Sequence, residues 1–406
     1  MNGNFNVSKT PYATSQETTI EKPGRFVYLD HLKIFLTLLV LAFHAAITYG
    51  GEGSWFFEEE GASFVTSAFF TALTSLCQAF FMGLFFFIAG FFTLPSIQKK
   101  GPGRFLRARF LRLGIPLIVF FFLLSPLSEY PRYYLEQPAP LTFIPFIINS
   151  YRHFSSLGTG PLWFVQSLLV FSILTVVLYS ISPFSTDWKN KSTVTSTYRI
   201  IPAPGFFLLL AAGVLLGLIT FAVRLKFPIN AAVSNLQFGT FPQYIAFFIF
   251  GIFINRRGII DRLIDSSNKL WRYVSLLCIV FQPVVLIAGG ALEGDISVFL
   301  GGSNWQALAY ALWEQIAGIA FSLTLLRIFK RRFNSSTRFS ELLSANAYTV
   351  YVVHAPVLVW LAYLALRITW PPALKFLLLF SIGAGVCLLL GQLLLRKIPI
   401  VKRLLY

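Results

Sequence analysis

Solid apolar blocks fill the chain from Leu32 onward, each close to the length that crosses a bilayer core, with short polar stretches between them. None alternates apolar and polar positions with a period of two, so the blocks predict helices and not the strands of a barrel. Ten spans are expected, at 32–50, 64–94, 113–128, 161–182, 204–223, 242–255, 271–292, 305–327, 345–366 and 372–395. The second is long enough to begin as an interfacial helix, and the third and sixth are short. Residues 1–24, rich in Ser, Thr and Asn, read as a disordered cytoplasmic tail. Residues 25–395 read as one transmembrane domain and 396–406 as a short basic tail. The first block is long enough to span, so it is expected to stay as a helix and not to be cleaved as a leader.

Composition strengthens this pattern. Hydrophobic residues make up 56% of the 406 positions and charged residues 12%, with a mean hydropathy of +0.70. A soluble domain carries about 25% charged residues, so this chain lacks the polar surface for a water-soluble globule. The expected class is an all-α polytopic membrane protein. A net charge of +17 would suggest nucleic acid in a soluble chain, but here the distribution matters more. With loops assigned alternately, 27 of the 33 Lys and Arg fall on the side of the N-terminus. The other six are Arg132, Arg152, Arg224, Lys226, Arg367 and Lys375, on the side that also holds Glu52, Glu58, Glu59, Glu60, Glu129, Glu136, Glu293 and Asp295. This is the positive-inside pattern of ten helices with both ends cytoplasmic, which makes the lipid bilayer the expected partner and leaves no need for nucleic acid. A multi-pass protein of the cell membrane is expected. Cys77, Cys278 and Cys387 lie far apart in apolar blocks and read as small buried hydrophobes. They give neither a disulfide framework nor a metal spacing, and no metal is expected.

Ionisable groups inside spans are costly and are functional suspects by default. Three stand out: His44 in the first span, Glu314 in the eighth and His354 in the ninth. Each lies nine to twelve residues from a predicted helix end, so all three are expected to meet near the midplane. Lys33 precedes His44 by eleven residues. Eleven steps of 100° nearly complete three turns, which puts both on one helix face about 16.5 Å apart. A ligand entering from the inner side would then place an anionic group at Lys33 and a reactive end near His44. The plainer reading is a snorkelling Lys and a hydrogen-bonded core His. The segment KKGPGRFLRARFLRLGIP adds Lys99, Lys100, Arg104, Arg107, Arg109 and Arg112. Arg109 and Arg112 share a helix face and could clamp phosphates, or they could simply meet anionic lipid. Trp163 and Gln166 in GPLWFVQSL, and Gln243 and Tyr244 in FPQYIAFF, stand at outer helix starts. They read either as an interfacial belt or as a sugar platform. Neither a P-loop nor a GxSxG elbow is present.

Five segments in order resemble the integral-membrane acyltransferase family 3, including its glucan-modifying branch. They are YLDHLKIFLTLLVLAFHAAITYGG, with Lys33 eleven before His44; MGLFFFIAGFF; RARFLRLGIP; GPLWFVQSLLVFS; and NAYTVYVVHAPVL. One departure is Ala89 before Gly90, where many members of the family have Ser. Many members also carry an appended esterase-like domain, and a stand-alone membrane module is expected here. The resemblance implies transfer of an acyl group, such as acetyl or succinyl, from cytoplasmic acyl-CoA to a hydroxyl of an extracytoplasmic carbohydrate or lipid-linked acceptor. Acyl-CoA would be a co-substrate, and no tightly bound cofactor is implied. His44 would act as general base or as a transient acyl carrier, with Glu314 or His354 orienting it or the acceptor. Lys33, Arg109 and Arg112 would hold the donor, and Arg104 and Arg107 repeat the same spacing. Trp163, Gln166 and Gln243 would face the acceptor. The rival class is a multi-pass transporter or exporter of a small molecule or sugar. A non-catalytic scaffold would leave the deep ionisable groups unexplained.

Overall fold

In the computed structural model the described residues are 26–181, 202–233, 235–266, 269–291, 296–394 and 397. The tail expected at 1–24, most of the inner loop expected at 183–203 and nearly all of the tail expected at 396–406 lie outside them. The apolar blocks fold as helices because a helix pairs its own backbone groups where water cannot. In chain order these are α1 (Val27–Thr48), α2 (Phe64–Lys100), α3 (Pro102–Glu136), α4 (Phe143–His153), α5 (Gly160–Ile181), α6 (Phe206–Arg224) and α7 (Phe241–Arg257). They continue with α8 (Ile260–Ser266), α9 (Lys269–Ala288), α10 (Ser297–Leu300), α11 (Trp305–Arg332), α12 (Arg338–Leu364) and α13 (Pro372–Leu389). A short antiparallel pair, β1 (Ala232–Val233) and β2 (Leu236–Gln237), sets Ala232 opposite Gln237 in the loop before α7. Among the described residues ten helices are long and apolar enough to cross a membrane, all except α4, α8 and α10.

Several helices exceed their predicted spans, and the extra turns are the polar ones. α1 begins at Val27, and Asp30 and Lys33 pair at 2.8 Å across its first turns. His44 therefore stands only four residues from the end of α1 at Thr48, not at the middle of the helix. α2 is one continuous helix from Phe64, about 55 Å long at 1.5 Å per residue.

α3 has 35 residues, far longer than expected, despite three prolines beyond its first residue. A proline cannot donate to the carbonyl four residues before it. Pro116, Pro126 and Pro131 therefore release the carbonyls of Arg112, Phe122 and Leu127. Each carbonyl accepts from a side chain of another helix instead: Tyr348 Oη to Arg112 at 2.8 Å, Tyr151 Oη to Phe122 at 2.5 Å, and Trp360 Nε1 to Leu127 at 3.0 Å. Two widened π-type turns, Phe110–Gly114 and Phe120–Leu124, take up the local misfit. Inside a bilayer a free carbonyl is expensive, so the prolines fix where α4 and α12 dock on α3.

The centre of the bundle is the crossing of α2 and α7. A Cβ added at Gly90 would overlap the carbonyl of Phe248, and one at Gly251 would overlap the carbonyl of Phe87. The two backbones meet only because both positions lack a side chain. Around this crossing pack α1, α11 and α12, whose Leu36, Ala45, Ala320, Ala355 and Leu358 are fully buried.

Candidate active site

The end of α1, the middle of α12 and the loop after α1 meet at two imidazoles. The ring centroids of His44 and His354 are 5.2 Å apart, with planes 23° from parallel. The indole of Trp55 lies on His44 at 3.8 Å and 18°, and its centroid is 5.9 Å from that of His354. Sides of 3.8, 5.2 and 5.9 Å make a triangle, not a sandwich. Trp55 therefore covers a face of His44 while His354 sits beside it.

Local sequence explains each position. Tyr348, Tyr351 and His354 recur every three residues, climbing about 9 Å along α12 from first to last. Tyr348 reaches the Arg112 carbonyl, and the Tyr351 hydroxyl donates to the carbonyl of Pro161 at the start of α5. His354 Nδ1 lies 2.6 Å from the backbone oxygen of Tyr351. A carbonyl only accepts, so this nitrogen carries a proton, and in the neutral ring Nε2 then presents a lone pair. That Nε2, together with His44 Nδ1 and Trp55 Nε1, is buried with no hydrogen-bond partner among the described residues. Buried polar atoms are nearly always paired, so three orphans in one cluster make this the candidate place for a ligand.

The loop from Gly50 to Ser63 forms a strap over this cluster. Trp55, Phe56 and Phe57 are buried in it. Gly50 adopts φ +113°, and a Cβ there would lie 2.5 Å from that of Ala62, so only glycine lets the strap fold back. Gly160, at φ +43°, would place a Cβ 2.7 Å from the ring of Phe56; the glycine of the GPLWF segment is the seat of the strap. The strap is pinned where Glu59 meets the buried ammonium of Lys375 at 2.6 Å. It is also held where Thr71 and Thr74 bond the backbone of Glu52. Lys375, expected as an outer loop charge, is thus a buried anchor.

Glu314 corrects the expected three-way convergence. Its carboxylate accepts from Arg224 Nη2 at 2.6 Å and from Gln315 Nε2 at 3.0 Å. Arg224, also expected in an outer loop, is fully buried and donates from Nε to the carbonyl of Gly239. No hydrogen bond or ion pair joins Glu314 to either histidine among the described residues. A carboxylate in the bundle needs a counter-charge, and α6 supplies one.

Gln243 packs between helices. Its side chain is wedged between Gly83 and Gly318 and donates to the carbonyl of Ala79 at 2.8 Å, tying α7 to α2. Trp163 stacks on Tyr244 at 5.4 Å, and Tyr244 in turn accepts from Gln78 at 2.9 Å. Gln166 Oε1 is buried without a partner among the described residues.

At the basic end, Lys33 is held by Asp30. Arg109 lies over the ring of Phe105 at 5.0 Å and Arg112 over that of Tyr348 at 5.8 Å. Arg104 and Arg107 are exposed. An apolar groove of about 150 Å³ lies between α1, α12 and α13, lined by Ile34, Thr37, Leu38, Ala347, Val350 and Ala384 among others, with no imidazole or cation in its lining. Val350 is one turn before His354, and Thr37 is two turns before His44. A larger groove of about 280 Å³, between α2, α6, α7 and α11, holds no ionisable group.

Sequence reasoning missed Trp55, Arg224 and Lys375. The signal for Trp55 was present: three consecutive aromatics, Trp55, Phe56 and Phe57, in an otherwise acidic and glycine-rich loop. No such signal marked Arg224 or Lys375, because a helix-end cation reads the same whether it points outward or inward.

The family model described as an acyltransferase domain matches residues 26–392. Among curated proteins, one from Salmonella schwarzengrund named glucans biosynthesis protein C is 23% identical over 386 residues, covering 93% of this chain and 94% of that one. Its counterpart from Salmonella dublin is 24% identical over the same shares. No solved structure matches the chain.

Proposed function

Since the chain belongs to this membrane acyltransferase family, we propose that it moves an acyl group from acyl-CoA on the basic side to a hydroxyl of a carbohydrate on the strap side. The cell membrane is its proposed location, with the basic end facing the cytoplasm. The transporter reading has no comparable support, because the family match covers nearly the whole chain and is to an enzyme that moves groups other than aminoacyl groups.

The observation that carries the reading is the pair of imidazoles 5.2 Å apart, each with a buried nitrogen that has no partner among the described residues. The donor's phosphates would be held by Lys33, Arg109 and Arg112, with its thioester reaching past Thr37 and Val350. His44 takes the proton of the acceptor hydroxyl as general base, a role worth about 10²–10⁴-fold in rate. His354, its tautomer set by the Tyr351 carbonyl, offers Nε2 to orient the acceptor or the N–H of His44. The acceptor class rests on the name of the Salmonella relatives and on the aromatic and amide side chains Trp163, Tyr244 and Gln78 beside α5.

The test is radiolabelled acetyl- and succinyl-CoA supplied to membranes containing the protein, with extracted glycans counted for label. His44→Ala is expected to abolish transfer at an unchanged protein level in the membrane. Retained transfer would remove His44 from the reaction.

A further inference from the structure

The strap places an indole directly on the imidazole that the proposed reaction uses, and nothing in acyl transfer itself requires this. Trp55 is 7% exposed, stacked at 3.8 Å on His44, and its neighbours Phe56 and Phe57 are also buried. Its loop is fixed at both ends: near its start by Thr71 and Thr74 on Glu52, and near its end by Lys375 on Glu59 and by Glu59 N–H on the Thr48 carbonyl. A residue packed so closely against a reactive ring, in a strap pinned at both ends, separates that ring from outer water.

We propose that Trp55 determines whether the acyl group reaches the acceptor or is lost to water. This rests on the reading of His44 as the base. In transfer, the acceptor hydroxyl gives its proton to His44 and its oxygen bonds to the acyl carbon. The carbon–sulfur bond then breaks, and the imidazolium returns the proton to the departing thiolate. Water in the hydroxyl's place follows the same course and yields a free carboxylic acid and the thiol. Both oxygens compete for one base, so the wall between that base and solvent sets the ratio. Trp55 is thus a specificity-determining residue: it excludes the wrong nucleophile and does no chemistry itself.

The experiment uses the full chain in proteoliposomes with radiolabelled acetyl-CoA, with and without a glucose oligomer as acceptor probe. Label on the oligomer reports transfer, and thiol released without oligomer reports hydrolysis. Trp55→Ala is expected to raise the ratio of hydrolysis to transfer several-fold, while Trp55→Phe, which keeps an aromatic wall, stays near wild type. Lys375→Met, which unpins the far end of the strap without touching His44, is expected to shift the ratio in the same direction and secures the test should Trp55→Ala fail to fold. An unchanged ratio in these variants, or hydrolysis and transfer falling together, overturns the proposal. His44→Ala is run alongside. If it still catalyses both reactions, the base assignment fails, a result distinct from any outcome at Trp55.

Discussion

Tyr351→Phe removes one oxygen and isolates the positioning of His354 from its chemistry. The phenol ties α12 to the start of α5 through the Pro161 carbonyl, and the imidazole of His354 is anchored to the backbone oxygen of that same Tyr351. Tyr351 is 5% exposed, so its loss leaves the Pro161 carbonyl unpaired inside the bundle. An unmet buried acceptor costs about 1–3 kcal/mol, and that is the expected loss of stability. The effect on rate is expected to be larger, because a misplacement of about 1 Å at a reacting group can cost on the order of 10²-fold. Purified Tyr351→Phe, reconstituted and assayed for initial rates at saturating acyl-CoA, should show kcat reduced by about one to two decades with the donor KM unchanged. Thermal unfolding in detergent gives the stability term separately. If the variant is folded and turns over at the wild-type rate, the tie does not position His354, and the argument from the Y-x-x-Y-x-x-H spacing fails.

Other consequences concern single side chains. Glu314→Ala strands a fully buried Arg224 and should destabilise the protein by about 3–5 kcal/mol, whereas the double change Arg224→Met with Glu314→Leu should be near neutral and active; a folded but inactive double variant would return Glu314 to the chemistry. Tyr348→Phe should lower the melting temperature, and adding Pro116→Ala should restore it, because alanine can again donate to the Arg112 carbonyl; additive losses in the double variant would contradict the proline account. Gly251→Leu should abolish accumulation in the membrane by forcing α7 off the Phe87 carbonyl, while Gly103→Leu, with open space around its Cβ position, should accumulate normally on an immunoblot.

The ten spans and the gathering of basic residues on alternate loops were written in the sequence, because both depend on local quantities: how many apolar residues run together, and which loops hold cations. The nearness of His44 and His354 was also suggested by their depth in separate spans. What each ionisable group faces was not local. Arg224 and Lys375 stand at helix ends like any loop cation, and only the packing of α6 on α11, and of the strap on α13, turns them inward to Glu314 and Glu59. The three internal prolines of α3 are visible in the chain, yet their freed carbonyls find partners on α4 and α12, helices that begin seven and more than two hundred residues beyond its end. Trp55 belongs to the same class. Its loop is short, polar and glycine-rich by sequence, and it becomes a wall over an imidazole only because Gly160, brought in by α5, leaves room for Phe56 beside it. Hydrophobic length is a property of one segment, but neutralising a buried charge or covering a ring takes two, and the second partner is chosen by the fold.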